Sequence, residues 1–433
     1  MPPARPRLVR DRVTVGLYTP YVVWGWLLYS FNPSVPLLAA ELGVSAAQAG
    51  LHGTAMAVGG LTAAPLTPRA VRGLGRRVTI VLALLLVALG VVGLLTGPTL
   101  PWTLGGMFVT AVGGNILIAS AQVGLAEHNG PTASAAITEA NAAGSTVGLV
   151  GPLAVGACVA VGWGWRPGVA VTVVLAVVAV LVVARLPAAR ALPALRRGRA
   201  AVDGSSVNSS AAGRAAVDRA ADGAVATPAA RDERATGVPV PGRLRRAAPL
   251  FLVALVAATA LENATTYWAT DLVLARTDAG PGIAAATTAG LLAGMSFMRV
   301  VVGPLSLRVH PAHLLAASFA IAIAGWVVLW TATDVASALV GLAVAGFGYG
   351  AQYPLGVALL LSVSPGHGDR AQSHATLAGA LAIGVAPFLL GALADSFGTH
   401  QAFLLVPVVA VAGLVAAVLG GRAVRQRPVG DLG

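Results

Sequence analysis

Twelve stretches of this chain are apolar for long enough to cross the hydrocarbon core of a lipid bilayer, which excludes almost every soluble fold. A core of about 30 Å requires roughly 20 residues of helix. The stretches run over approximately 14–38, 46–67, 78–97, 102–125, 133–161, 166–186, 249–275, 283–305, 312–332, 336–362, 371–394 and 402–420. No water reaches the bilayer core to satisfy backbone N–H and C=O groups, so each stretch has to be helical. The expected fold is an all-α integral membrane protein of twelve transmembrane helices. Composition agrees: 57% of residues are AVILMFWYC and only 10% are charged, against about 25% charged in soluble domains.

The formal net charge of +12 invites a nucleic-acid reading, but the placement of the arginines argues against it. With the N-terminus inside and twelve crossings, 25 of the 28 basic residues fall in segments on one side. These include Arg5 to Arg12, Arg69 to Arg77, the stretch 185–246, Arg308, Arg370 and Arg422 to Arg427. Only Arg166 and Arg276 fall on the other side, and Arg299 lies within a helix. That bias orients a multi-pass protein of the cytoplasmic membrane with both termini in the cytoplasm.

The chain has no lysine. A phosphate-binding P-loop needs one, and so does a Schiff base to retinal or pyridoxal, so neither chemistry is expected and no cofactor is implied. Cys158 is the single cysteine and lies in an apolar helix, which leaves no disulfide framework and no cysteine-based metal site. His310 and His313 have the i,i+3 spacing of a ligand pair but no third ligand near them, so no metal is expected.

Between residues 188 and 247 the chain turns to Ala, Arg, Ser, Gly and Asp, as in DGSSVNSSAAGRAAVDRAADG, and cannot bury a core. This reads as a flexible basic linker between an N-terminal six-helix bundle, 1–187, and a C-terminal one, 248–433. The halves resemble each other. With an offset of 235, Gly113 falls on Gly348, Gly144 on Gly379, Pro152 on Pro387 and Gly156 on Gly391. Parallel six-helix repeats with a site near the midplane between them are one architecture of secondary transporters.

On these residues the chain resembles the major facilitator superfamily over essentially its full length. The strongest local match is GSTVGLVGPLAVG, Gly144 to Gly156 in the fifth helix, similar to the glycine-proline motif of the antiporter branches. Small residues four apart let helix backbones approach closely, and Pro152 removes a backbone hydrogen bond and permits a kink. Gly75-Arg76-Arg77 is similar to the end of the family's loop 2–3 motif, with Arg72 where that motif usually has an Asp. Thr110 stands where an arginine is usual in the fourth helix.

The resemblance implies that helices 1, 4, 7 and 10 line a central cavity. All six tyrosines, Tyr18, Tyr21, Tyr29, Tyr267, Tyr349 and Tyr353, fall in helices 1, 7 and 10. Within ATALENATTYWA of the seventh helix, Glu262 lies near the bilayer centre, where an ionised acid costs on the order of 3 kcal/mol. Thr259 and Thr266 share its face, and Asn263 with Tyr267 extends a polar stripe. Glu262 therefore faces a wet interior. Two roles are open to it there, proton coupling or charge-pairing with a cationic substrate, beside that of a hydrogen-bonded structural acid. Asn32, Asn115, Gln122 and Gln352 add candidate substrate contacts.

For gating, the resemblance sets the fifth and eighth helices side by side, so that Glu139 and Arg299 either pair as an inner latch or reach separately to the nearby membrane interface, with Gly151 and Pro152 as the flexing element. Arg76 and Arg77 serve as gate or as topology anchor, and His374 falls on Glu139 in the repeat. Asp271 and Asp395 are expected at outer helix ends, in solvent.

The function expected is secondary active transport of a small organic molecule by alternating access, proton-coupled and directed outward as an antiporter, by a monomer. The alternative is uptake of a sugar or related metabolite. An embedded enzyme would need a catalytic constellation, but the sequence has no HExxH and no GxSxG, and a receptor would carry a sizeable soluble domain.

Overall fold

The computed structural model describes residues 8–187, 192, 242–306, 308–364 and 368–425. The expected linker, apart from Leu192 and its last few residues, lies outside them, as do Arg5, Arg7 and Arg427.

The described residues form twelve transmembrane helices, α1 to α12, in two six-helix halves. The first half comprises α1, which is interrupted (Thr19–Phe31, then Asn32–Ser34, then Val35–Leu42), α2 (Ala46–Leu74), α3 (Arg76–Thr96), α4 (Leu100–Asn129), α5 (Ala133–Gly148 and Val150–Ala160) and α6 (Arg166–Arg185). The second comprises α7 (Gly242–Arg276), α8 (Pro281–Ser306), α9 (Pro311–Thr331), α10 (Val335–Ser362), α11 (Gly368–Phe397) and α12 (Leu405–Arg425). Ten of them are long and apolar enough to cross a membrane on their own account. The other two are α1, cut into short pieces, and α2, whose apolar content is diluted by glycine, threonine, two internal prolines and two arginines.

Proline accounts for both interruptions. In α1, Pro33 and Pro36 follow Asn32 and remove two amide donors, and the chain tightens into one 3-10 turn. In α5, Pro152 cannot bond back to Gly148, and the helix breaks at Leu149.

The outward faces of α3, α6 and α12 are apolar and exposed: Leu85, Leu89 and Val92; Val174, Val177 and Leu181; Val408, Val411 and Val415. Such a surface requires lipid around it. Inside, small residues let backbones touch. A Cβ on Gly113 would strike Val87 of α3, and its repeat counterpart Gly348 would strike Ala322 of α9. The α3–α4 contact is thus reproduced as α9–α10, as the internal repeat implies.

The halves meet most closely at the end away from residues 187 and 242, called here the far end; the opposite one is the linker end. At the far end Gly156 of α5 lies against Gly282 of α8, each blocking any side chain on the other, and Gly391 of α11 lies against the backbone of Ala46 in α2. Thr54 of α2 donates to the Gly384 carbonyl of α11 at 2.6 Å. Toward the linker end α2 and α11 part: Leu61 and Leu66 on one, Leu377 and Leu381 on the other, are exposed, and a Cβ on Gly379 would meet open space.

Candidate functional site

The interruption of α1 places Tyr29 and Asn32 one helical turn apart beside α7 and α8. Asn32 is buried, and its Nδ2 donates to Oγ1 of Thr266 on α7 at 3.3 Å, which joins the two halves near mid-membrane. Its Oδ1 has no hydrogen-bond partner. One turn toward the linker end, Arg299 of α8 donates from Nη2 to Glu262 Oε1 of α7 at 3.3 Å and from Nη1 to the Tyr29 hydroxyl at 3.4 Å. The side chains of Arg299 and Glu262 are 35% and 26% accessible, so the pair faces a cleft rather than a sealed core. A narrow cleft adjoins it, lined by Tyr29, Asn32, Thr266, Thr288, Leu291 and Leu292, among others.

The charges are held loosely. A closed guanidinium–carboxylate pair makes two parallel bonds of about 2.7–2.9 Å, whereas here each nitrogen makes one long contact to a different group. Of the five N–H donors of a guanidinium, two are engaged. The site is a net-neutral ion pair with spare hydrogen-bonding capacity on both members, bridged to the other half through Tyr29.

Among the residues expected from sequence, Glu262, Tyr29, Asn32 and Thr266 come together here. Asn263 turns its amide back to the Thr259 carbonyl (2.8 Å) and Asn115 to the Ala111 carbonyl (2.8 Å), each within its own helix. Tyr349 is buried and shares a hydrogen bond with Thr265 at 3.0 Å. Tyr353 is 45% exposed, and Gln122 is exposed. Tyr267 is fully buried with no partner for its hydroxyl. Gln352 is buried as well, and its amide points within its own half to the Ser318 carbonyl of α9, a marginal 3.5 Å.

The Glu139–Arg299 latch is not formed. Glu139 instead accepts from Arg10 Nε at 2.9 Å and from the Tyr18 hydroxyl at 3.1 Å. The reason lies in α5: its far-end piece lies against α8, whereas the break at Leu149 lets its linker-end piece follow α1. There Gly144 meets the Tyr21 carbonyl and Gly148 the backbone of Gly25. Gly151 and Pro152 are buried, Gly151 against Ser30 of α1.

The remaining linker-end groups also close within one half. Arg76 pairs with Glu127 (2.9 Å from Nη2), and Arg77 donates to the Pro187 carbonyl at 2.8 Å. His374 is exposed on α11.

At the far end two acids expected to sit in solvent have protein partners. Asp271 accepts from the Thr399 hydroxyl, and Asp395 accepts from the Ala46 and Ala47 amides at 2.7 and 2.8 Å. Sequence reasoning missed both contacts, and it missed that Arg299 is Glu262's partner. One signal was present: a lone base and a lone acid deep in adjacent helices neutralise each other most cheaply by pairing.

Comparison with known proteins agrees with this architecture. The chain is 39% identical over 98 residues to MFS-type transporters of Burkholderia mallei (strain SAVP1) and Burkholderia pseudomallei (strain 668). That stretch is 22% of this chain and spans only 24% of the length of each relative. A bacterial homolog to the human lysosomal transporter Spinster, in an inward-facing and occupied conformation, superposes with a TM-score of 0.73 at 14% identity, covering 98% of this chain and 100% of that one. The xylose transporter XylE from E. coli, inward open, gives 0.69 at 14% identity, with 96% and 97% covered. The model of the Major Facilitator Superfamily matches residues 21–293 and 250–431, essentially the whole described chain, and the protein belongs to that superfamily.

Proposed function

We propose that this transporter exports a small organic molecule by proton-coupled alternating access, with Glu262 as the group that takes up and releases the proton. One observation carries the reading: a carboxylate in mid-membrane, accessible from a cleft between the halves and held by a single long contact to Arg299. A carboxylate so placed can exchange partners without unfolding anything around it. The linker end, where the arginines gather, is the cytoplasmic side of the cytoplasmic membrane on this reading. The far-end packing is then the closed outer gate of an inward-facing state, in a working monomer.

In the cycle, substrate enters from the linker end and engages the pair. The halves rock about the α1–α7 contact, and a proton arriving from the far side takes Glu262 out of the pair and ejects the substrate. The test uses proteoliposomes and a substrate identified by screening cells lacking the gene. Glu262→Gln is expected to abolish proton-driven movement, and the counterflow that persists at raised substrate concentration should no longer depend on pH. Unchanged proton-driven movement with an unchanged pH profile refutes the assignment.

The second reading is proton-coupled uptake, favoured by the same ion pair: a substrate that takes Arg299 from Glu262 and leaves that carboxylate protonated moves together with a proton. Inverted vesicles separate the two, since an exporter exchanges substrate for protons and an importer moves both in one direction.

A further inference from the structure

We infer that the substrate is amphoteric, carrying an anionic group for Arg299 and a cationic nitrogen for Glu262 and Asn32, and that it binds by inserting into the Glu262–Arg299 pair. This rests on the proposed reading that substrate and proton meet at Glu262.

Three observations converge. The first is that the site is neutral as a whole yet built from two full charges, so a ligand bearing one charge satisfies one member and strands the other. Stranding one member of a pair in a medium of low dielectric is the costly outcome. A ligand with both charges spares each. The second is that both members have capacity to spare: Arg299 makes one contact to Glu262 and one to Tyr29, both longer than 3.2 Å, and its side chain is 35% accessible. The fork of a guanidinium fits the two oxygens of a carboxylate or phosphate. The third observation is Asn32. Its Nδ2 is held by Thr266, which aims the amide, and its Oδ1 is buried without a partner on the wall of the cleft. An orphan acceptor of this kind calls for a donor, and the ligand's ammonium supplies it. Asn32 lies one turn from Tyr29 and Thr266 one turn from Glu262, so cation and anion are a few bonds apart. Leu28, Leu291 and Leu292 give the cleft an apolar wall beside these groups.

The same arrangement gives the direction of coupling. An ammonium binds the ionised carboxylate of Glu262, and a proton on that carboxylate excludes it. Substrate and proton therefore displace each other. The other titratable groups facing Glu262, Tyr349 and Tyr353 of α10, supply hydroxyls rather than charge.

The probes are three matched sets of compounds sharing one body: α-amino acids such as leucine and phenylalanine, the acids lacking the amine, and the amines lacking the carboxyl. Binding is read by thermal shift and by scintillation proximity on the purified full-length transporter. The expected result is binding by members of the amino-acid set only. Glu262→Gln and Arg299→Gln should each weaken it roughly thirtyfold or more, as for loss of one partner of a buried charge pair. Asn32→Leu, outside the ion pair, should weaken amino-acid binding, with the melting temperature of the empty protein measured beside it because the bond to Thr266 is lost as well. The inference is overturned if an acid or an amine binds as tightly as its amino-acid parent, or if no amphoteric compound binds. Proton exchange driven by a singly charged compound would leave the proposed function standing and remove this inference. Amphoteric binding without proton movement would do the reverse.

Discussion

At the far end, α2 of one half lies on α11 of the other with no side chains intervening at the closest points, whereas at the linker end each described ion pair closes on its own half. Gly156 on Gly282, Gly391 on Ala46, and the Asp395 carboxylate on the Ala46 and Ala47 amides all join one half to the other. By contrast Arg10 with Glu139, Arg76 with Glu127 and Asp11 with His128 each connect elements of the first half. If the halves rock as rigid bodies, contacts between them differ in the two states and contacts within them do not. The far end therefore sets the balance of conformations, and the linker-end charges set only how well the first half holds together.

The largest effect that tests this contrast is a wedge. Gly156→Val places a branched side chain against the Gly282 carbonyl, where even a Cβ has no room. Overpacking costs about 1–3 kcal/mol, and here the whole cost falls on the far-end-closed state. That is a shift of about 5- to 150-fold in the ratio of states at about 1.4 kcal/mol per decade. Spin labels at Ser45 and Ser396 should report a longer separation by double electron–electron resonance. An unchanged distance distribution would show that the glycine contact is not part of the gate.

A milder change is Asp395→Asn. The Ala46 and Ala47 amides are in the first turn of α2, among the donors a helix leaves without intrahelical partners, and a negative charge there also meets the positive end of the helix dipole. The amide keeps one acceptor and loses the charge. A loss of about 1 kcal/mol moves the same distance distribution about fivefold toward the open state. An effect on melting temperature without an effect on the distribution would assign Asp395 to folding alone.

Much of this arrangement is legible in the sequence, and what is not has a physical reason. Twelve apolar stretches, the repeat at offset 235 and the glycine spacing of α5 are local patterns tied to helix length and close packing, and they survive folding unchanged. Glu262 stands out for the same reason: a charge at that depth violates a local rule. Partner choice is different, because it depends on where helices bend. Glu139 and Arg299 are on adjacent helices, but the break at Leu149 carries Glu139 toward α1, and Arg299 is left to Glu262. Asp395 shows the same limit, since nothing in its neighbourhood reveals that the first turn of α2, some 350 residues earlier, lies within 3 Å.

At the linker end the expected effects are smaller and of another kind. Glu139→Gln removes a carboxylate whose partner Arg10 is 62% exposed, and solvent screening leaves such pairs little net stability. The melting temperature should fall slightly while the Ser45–Ser396 distances stay as they are. A changed distance distribution would mean that the linker end takes part in the gate, and the contrast between the ends would have to be withdrawn.

The smallest effect expected is a dependence on acidity at the same end. Asp11 is partly buried, which pushes its carboxyl up, but bonds from the Thr14 amide and from His128 outweigh this and hold it below the usual carboxylate range. A depressed acid stabilises the folded state above its unfolded value of about 3.9, and that contribution fades as pH falls through the lower folded value. Asp11 caps the short helix Arg12–Gly16, so acidification should loosen that helix first. Its side chain is 44% exposed, and screening limits the effect to about 0.5 kcal/mol. Hydrogen exchange on residues 12–17 between pH 5 and pH 3 should rise in the wild type and be already raised, and flat with pH after correction for intrinsic exchange, in Asp11→Ala. Equal slopes in both proteins would place the sensitivity in another group, with Glu139 next to be tested because it anchors Arg10, the residue preceding Asp11.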